Sequence, residues 1–133
     1  MSHGKGDRLL VSSGSPMEPV IGFSRAVRVG DLVFVSGTAP IAAGGGVAAK
    51  GDVKGQTQRC LDIIENALKD AGAEMRHVVR TRIFLTEMAR WREAAEAHGA
   101  AFKEVRPAST FVECSGLIDP DWLVEVEADA VIS

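Results

Sequence analysis

The last stretch of the chain, residues 122–132, alternates strictly between two kinds of side chain. A period of two residues is the pattern of a β-strand whose two faces meet different surroundings. One face is apolar and consists of Trp122, Val124, Val126, Ala128, Ala130 and Ile132. The other face consists of Leu123, Glu125, Glu127, Asp129 and Val131. Neighbouring carboxylates repel one another, so this second face must be solvated, paired with cations or part of a polar site.

Hydrophobic periodicity predicts further strands and two long amphipathic helices in the rest of the chain. The predicted strands span residues 8–11, 24–29, 32–36 and 78–85, with one more in the segment 106–114. The first helix, residues 52–71, has Asp52 to cap its start and Gly72 to close its end. The second, residues 87–105, cannot continue through Pro107. We therefore expect a single α+β domain, residues 1–133, with one mixed β-sheet and two helices packed on one face.

Composition excludes several classes of protein. A chain of 133 residues suits one domain with one core. Its net charge of −3, without a long basic run, argues against nucleic-acid binding. No apolar stretch is long enough to cross a bilayer, and the polar, glycine-rich start does not resemble a signal peptide. A cytoplasmic protein with no membrane partner is expected.

Metal-ligating and nucleophilic patterns are sparse. The two cysteines, Cys60 and Cys114, form no CxxC pair and no cluster with histidine, so no metal site is predicted. His98 lies on the apolar stripe of the second helix, where a structural histidine with one hydrogen bond is the simpler interpretation. Arg80 and Arg82 share one face of a strand. They are expected to pair with carboxylates, with a substrate-carboxylate site as the alternative.

Four segments, in order and at compatible spacing, resemble the RidA/YjgF family of reactive-intermediate deaminases. They are GFSRAVRVGDLVFVSG at residues 22–37, VRTRIFL at 79–85, RPASTFVE at 106–113 and VEVEA at 124–128. The match covers roughly residues 21–132. No single segment is decisive, but together they are specific.

This resemblance implies a chorismate-mutase-like α+β fold and a homotrimer with small-molecule pockets in the clefts between adjacent subunits. Enzymes of the family are deaminases, hydrolases that convert 2-imino or 2-enamino acids to 2-keto acids and ammonia without a metal or organic cofactor. An arginine holds the substrate carboxylate, and a glutamate positions the attacking water. The glutamate matches Glu125, which the resemblance makes the expected catalytic residue.

The chain departs from the family pattern at several pocket positions. Ser109 stands in place of the arginine, Phe23 in place of a tyrosine and Thr38 in place of a glutamine, and a pocket asparagine aligns with Ala89. A guanidinium grips a carboxylate through two charge-assisted hydrogen bonds, whereas serine donates one neutral bond. The expected substrate-binding residues are Phe23, Arg25, Ser36, Gly37, Arg106, Ser109 and Phe111.

Three functional hypotheses follow. The preferred one is a RidA-like homotrimer whose ligand or reaction has diverged from imine hydrolysis. The alternative is a working 2-imino acid deaminase in which Arg25 or Arg106 replaces the missing arginine. A ribonuclease or translation inhibitor ranks last, because an acidic chain with 5% aromatic residues offers no basic stacking surface.

Overall fold

A mixed sheet of six strands forms the centre of the computed structural model, which describes residues 7–133. Residues 1–6, including most of the polar start discussed above, lie outside the described residues. The strands are β1 (Leu9–Val11), β2 (Ala26–Val29), β3 (Leu32–Thr38), β4 (Val78–Leu85), β5 (Ala108–Glu113) and β6 (Val124–Val131). The helices are α1 (Met17–Ile21), α2 (Val53–Asp70) and α3 (Trp91–Phe102).

The order of strands in the sheet differs from their order along the chain. It runs β1-β2-β3-β6-β4-β5, so the last strand lies in the middle, between β3 and β4. All neighbours are antiparallel except β4 and β5, which are parallel and are joined through α3. The turn between β2 and β3 is the two-residue Gly30-Asp31 turn, and Gly30 adopts the positive φ of 60° that such hairpins need.

The two long helices cover one face of the sheet, as the sequence predicted. Asp52 caps α2 by accepting a hydrogen bond from Gly55 N at 3.0 Å, and Gly72 follows the helix with a φ of 85°. The apolar face of β6 is buried beneath the helices, and its alternation matches the prediction: Val124, Val126, Ala128 and Ala130 are each at most 1% exposed. The other face of the sheet, the open face, carries charged side chains, namely Arg80, Arg82, Glu125, Glu127 and Asp129.

Several predicted boundaries were wrong. The last strand begins at Val124 rather than at residue 122, because Leu123 N donates to the side-chain oxygen of Gln56 at 2.8 Å and not to a neighbouring strand. Residues 12–19, whose Ser, Gly and Pro content predicts a loop, instead contribute the start of α1. α3 begins at Trp91, after a 3-10 turn at Met88–Arg90, and ends at Phe102. β5 ends at Glu113, so Cys114 follows the strand instead of lying in it.

Residues 40–50, between β3 and α2, contain three consecutive glycines that predict a flexible loop, but hydrogen bonds close this segment. Ala48 N donates to Pro40 O at 2.8 Å, and Ile41 pairs with Val47 in a single bridge. Arg59 of α2 fixes the same segment through a 2.6 Å bond from Nε to Ile41 O. Among residues 7–133, no helix is long and apolar enough to cross a membrane.

Candidate functional site

A cavity of about 300 Å³ opens beside α1, at the point where β3 departs from regular pairing with β6. Val35 is paired with Ala128, but Thr38 is paired with Val126, so β3 carries an extra residue there. This bulge leaves Ser36 and Gly37 free to line a pocket. Five of the residues predicted for the site lie around it: Phe23, Arg25, Ser36, Gly37 and Glu125.

The backbone of Arg25 is fixed on both sides before its side chain enters the cavity. Arg25 N donates to Val11 O at 2.8 Å, and Ser36 N donates to Arg25 O at 3.0 Å. Ser36 also donates from Oγ to Ser24 O at 2.6 Å, which ties the two segments together. The position of Arg25 is therefore set by the sheet rather than by a mobile loop.

The guanidinium of Arg25 is only partly satisfied by the protein. Nη1 donates to Gly37 O at 2.7 Å and to Thr38 Oγ1 at 3.0 Å. Nε is buried without a hydrogen-bond partner, and no hydrogen bond within residues 7–133 uses Nη2. The guanidinium carbon lies 5.2 Å from the centre of the Phe23 ring. The edge formed by Nε and Nη2 thus has no hydrogen-bond partner among residues 7–133, and an arginine edge of this kind can hold a carboxylate by two parallel bonds.

Glu125 lies on β6, opposite Phe84, and faces the same cavity. Burial raises the pKa of its carboxyl group, the charge of Arg25 opposes this, and the charge of Glu127 adds to it. A side chain at position 37 would collide with the carboxylate, so Gly37 is the residue that makes room for it. A carboxyl group with a raised pKa is suited to accepting and returning a proton near neutral pH.

Ser109 and Phe111, also predicted for the site, lie on β5 at the far edge of the sheet. Thr81 Oγ1 donates to Ser109 Oγ at 2.8 Å, and His98 Nε2 lies 2.8 Å from the same Thr81 oxygen. The Phe111 ring stands 6.4 Å from the rings of both Trp91 and His98. These two residues therefore face α3, away from the cavity.

His98 makes the single hydrogen bond that the structural interpretation predicted, and burial lowers its pKa. The hydroxyl of Thr81 is therefore the shared contact between His98 and Ser109.

Arg106, the other candidate for a replacement arginine, is exposed and lies outside the residues that line the cavity. Its backbone has a φ of 56°, and its N–H donates to Phe102 O at 2.8 Å. It therefore closes the end of α3 in the left-handed conformation that commonly terminates helices. Of the two replacement arginines considered from the sequence, only Arg25 is in the cavity.

Some cavity residues were missed from the sequence. Met17 and Ile21 form a wall from α1, an element that was not predicted. Trp122 also lines the cavity, although the alternation assigned it to the buried face of the last strand. It is released from that face because the strand begins two residues later.

On the open face, the predicted pairing with carboxylates is confirmed for Arg82 but not for Arg80, which has no carboxylate within 4.0 Å among residues 7–133. Arg82 Nη1 lies 2.8 Å from Glu127 and 3.9 Å from Asp129, as expected for an arginine paired with carboxylates. Within residues 7–133, no group of three or more His, Cys, Asp or Glu side chains is placed to hold a metal ion.

A mixed sheet backed by two helices, with this order of strands, is the chorismate-mutase-like fold of YjgF proteins. The chain matches the Endoribonuclease L-PSP family over residues 13–132. It therefore belongs to this family, which includes the RidA, YjgF and RutC proteins.

Individual relatives cover almost the whole chain. A RutC family protein of Pyrococcus abyssi is 36% identical over 85% of this chain and 88% of its own. The 3-aminoacrylate deaminase RutC of Acinetobacter baylyi is 30% identical over 92% of this chain and 95% of its own. The crystal structure of a YjgF/YER057c/UK114 family member from Mycobacterium tuberculosis superposes with a TM-score of 0.85. It is 47% identical, over 94% of this chain and 99% of that one.

Proposed function

We propose that the chain is a deaminase that hydrolyses small imino or enamino carboxylic acids, with Arg25 holding the substrate carboxylate. The observation that supports this best is that Arg25, whose buried Nε has no hydrogen-bond partner, lines the same cavity as Glu125. The sequence favoured a diverged ligand because Ser109 replaces the family arginine. The geometry instead favours the alternative hypothesis of a working deaminase with a replacement arginine, because Arg25 lines the cavity. The relative named 3-aminoacrylate deaminase supports the same class of reaction.

The cavity residues divide the chemistry between them. The Nε and Nη2 edge of Arg25 binds the carboxylate, and the Phe23 ring, over which the guanidinium lies, helps to shield that ion pair from water. Glu125 accepts a proton from a water molecule whose oxygen adds to the imino carbon. Glu125 returns this proton to the nitrogen, which gives a carbinolamine. Glu125 then moves the hydroxyl proton of this intermediate to the amino nitrogen as the carbon–nitrogen bond breaks and the C=O bond forms, so that a 2-keto acid and ammonia leave. No other reactant is consumed.

We propose in addition that the protein acts as a cytoplasmic homotrimer whose pockets lie between subunits. Two features support this assembly. β5 is an edge strand that is exposed on nearly its whole length, and such edges invite pairing or cover. Apolar side chains are also exposed on the open face, namely Leu32, Phe34, Val112 and Val131. A neighbouring subunit would cover this surface and bring a second β5, with its Ser109, towards a cavity.

The proposal is tested by following the disappearance of 2-iminopropionate, generated by an amino-acid oxidase, with and without the purified protein. Replacing Arg25 by Gln should lower kcat/KM about a hundredfold, because two charge-assisted hydrogen bonds are lost. R25K keeps the positive charge but not the paired donors of the guanidinium, so its kcat/KM should lie between those of R25Q and the wild type. R76Q removes the same charge from an exposed arginine outside the cavity and serves as the matched control.

Arg25 also donates hydrogen bonds to Gly37 O and Thr38 Oγ1, so its replacement can lower the stability of the fold. Thermal unfolding of each variant is therefore measured alongside turnover. Wild-type turnover that survives in a folded R25Q protein would remove Arg25 from the mechanism. If the folded wild type does not accelerate imine loss at all, the diverged-ligand hypothesis replaces this one. The open face offers no support for the ribonuclease hypothesis, since the charge of Arg82 is matched by carboxylates.

A further inference from the structure

A second cavity, of about 290 Å³, adjoins the first. The two share Ser15, Arg25, Ala39 and Ile41, so Arg25 stands at their junction. The far wall of the second cavity is provided by α2, which contributes Arg59. A molecule bound beside Glu125 can therefore extend past one arginine towards another.

Both arginines lack an ion-pair partner. Among the described residues, no carboxylate lies within 4.0 Å of Arg25 or Arg59, although six ion pairs occur elsewhere. Glu18 and Glu125 act on Arg25 only at longer range, and Glu18 already accepts two hydrogen bonds from Ser13. Two guanidiniums that line one cavity with no carboxylate within 4.0 Å of either favour negatively charged ligands there, although the charges of Glu18 and Glu125 offset part of that of Arg25.

The donors that remain free on these side chains point to the chemistry of the ligand. Arg59 uses Nε to bind Ile41 O, and no hydrogen bond within residues 7–133 uses its two Nη groups. Ser15 Oγ accepts from Met17 N at 3.2 Å, which leaves its own proton available. Arginine Nη groups together with a hydroxyl donor form a suitable environment for a carboxylate.

We infer that Arg59 binds a second carboxylate of the ligand, and that the preferred substrates are therefore dicarboxylic imino or enamino acids. This inference deepens the proposed function and rests on it: one carboxylate binds Arg25, the reacting carbon faces Glu125, and the other carboxylate reaches Arg59 through the second cavity. Arg59 acts as a specificity-determining residue and takes no part in the hydrolytic step.

The test compares succinate with propionate, two stable acids that differ by one carboxylate and cannot react. Their dissociation constants are measured by calorimetry at fixed, low ionic strength. The wild type should bind succinate about tenfold more tightly, since a single charge-assisted contact contributes an effect of that size. In R59Q the ratio of the two constants should fall to about one.

Two further variants separate charge from structure. R59K loses the Nε bond to Ile41, as R59Q does, but keeps a positive charge in the cavity, so it should retain part of the preference for succinate. R76Q removes an equal charge from an exposed arginine outside both cavities, where it pairs with Glu74, and should leave the ratio as in the wild type.

A wild-type ratio near one, or an unchanged ratio in R59Q, would overturn the role of Arg59. An equal loss in R59Q and R76Q would do the same, because it would show only the effect of net charge. These outcomes are independent of the turnover of 2-iminopropionate by R25Q and the wild type, which decides the proposed function. The failure of one proposal is thereby distinguished from the failure of the other.

Discussion

Glu125 is placed where a carboxylate is costly to ionise. Burial is the largest influence on it and raises its pKa above the ordinary value of 4.5, while Arg25 opposes that rise. Gly37 leaves no side chain that would push it out of the cavity. The proposed role of Glu125 in proton transfer would thus come at a cost in stability, a compromise that is common at functional sites.

We predict that E125Q is more stable than the wild type near pH 7 and loses this advantage near pH 4. Because the folded-state pKa is raised, the contribution of Glu125 to stability is complete below its unfolded pKa and is lost as pH rises through the folded value. The side-chain amide of E125Q does not ionise, so the variant does not lose stability as the pH rises. Urea unfolding at both pH values measures the difference, and imine turnover should fall about a hundredfold or more.

The exposed residue Glu104 provides the control, because E104Q makes the same change of charge away from the cavity. An E125Q protein that is less stable than the wild type near neutral pH would show that the attraction of Arg25 outweighs the burial of Glu125.

At the level of elements, one chain of hydrogen bonds joins β4, α3 and β5. Thr81 is fully buried on β4, and its hydroxyl contacts both His98 of α3 and Ser109 of β5 at 2.8 Å. β4 and β5 are parallel, so they need a crossover connection, and α3 supplies it. These bonds fix the crossover helix on the strands that it connects.

We predict that T81V destabilises the fold by about 1–3 kcal/mol, because an isosteric methyl group leaves the buried His98 Nε2 without a partner. T110V is the matched control, since Thr110 is exposed on β5 next to Ser109. Its effect should stay within about 0.5 kcal/mol. Urea unfolding of both variants checks this, and equal stability of T81V and the wild type would mean that the hydroxyl contacts contribute nothing net.

The elements themselves could largely be read from the sequence, because their periodicity reflects which face is buried. β4 was predicted to its limits, and α2 to within a residue at each end. α1 was missed because five residues between Pro16 and Gly22 are too short to show a helical period. It is held instead by Glu18, whose carboxylate accepts from Ser13 N and Oγ.

Candidate site residues could be brought together from the sequence only where they lie on or next to neighbouring strands. Arg25, Ser36 and Glu125 meet because β2, β3 and β6 are adjacent in the sheet. Ser109 is two strands further away, and no local pattern reveals that separation. The free edge of Arg25 was also beyond sequence reasoning, because it depends on which nitrogen binds the Gly37 carbonyl.

On the scale of the whole molecule, only one of the two faces of the sheet is covered by other elements. The helices pack on that face, whereas the open face exposes Phe34 at 47% and Leu32 at 44% beside its charged side chains. Large apolar side chains left together on a surface commonly mark a contact with another chain.

We predict that the wild type sediments at the mass of three chains at micromolar concentration and that F34E sediments at a lower mass. A carboxylate at position 34 would have to be desolvated, without a partner, when subunits meet across the open face. A100E places the same charge on the exposed side of α3 and should leave the mass unchanged. A wild type that is monomeric under these conditions would contradict the homotrimer.

The central position of β6 has a consequence for how the protein is made. Until these eight residues have been synthesised, β1, β2 and β3 have no strand that links them to β4 and β5. Both partial sheets then expose the edges with which β6 will pair. The pairing of β6 with β3 joins residues far apart in the sequence, and such contacts form slowly. We therefore expect a chain that still lacks β6 to be the species most prone to aggregate, because its two partial sheets have unfilled edges.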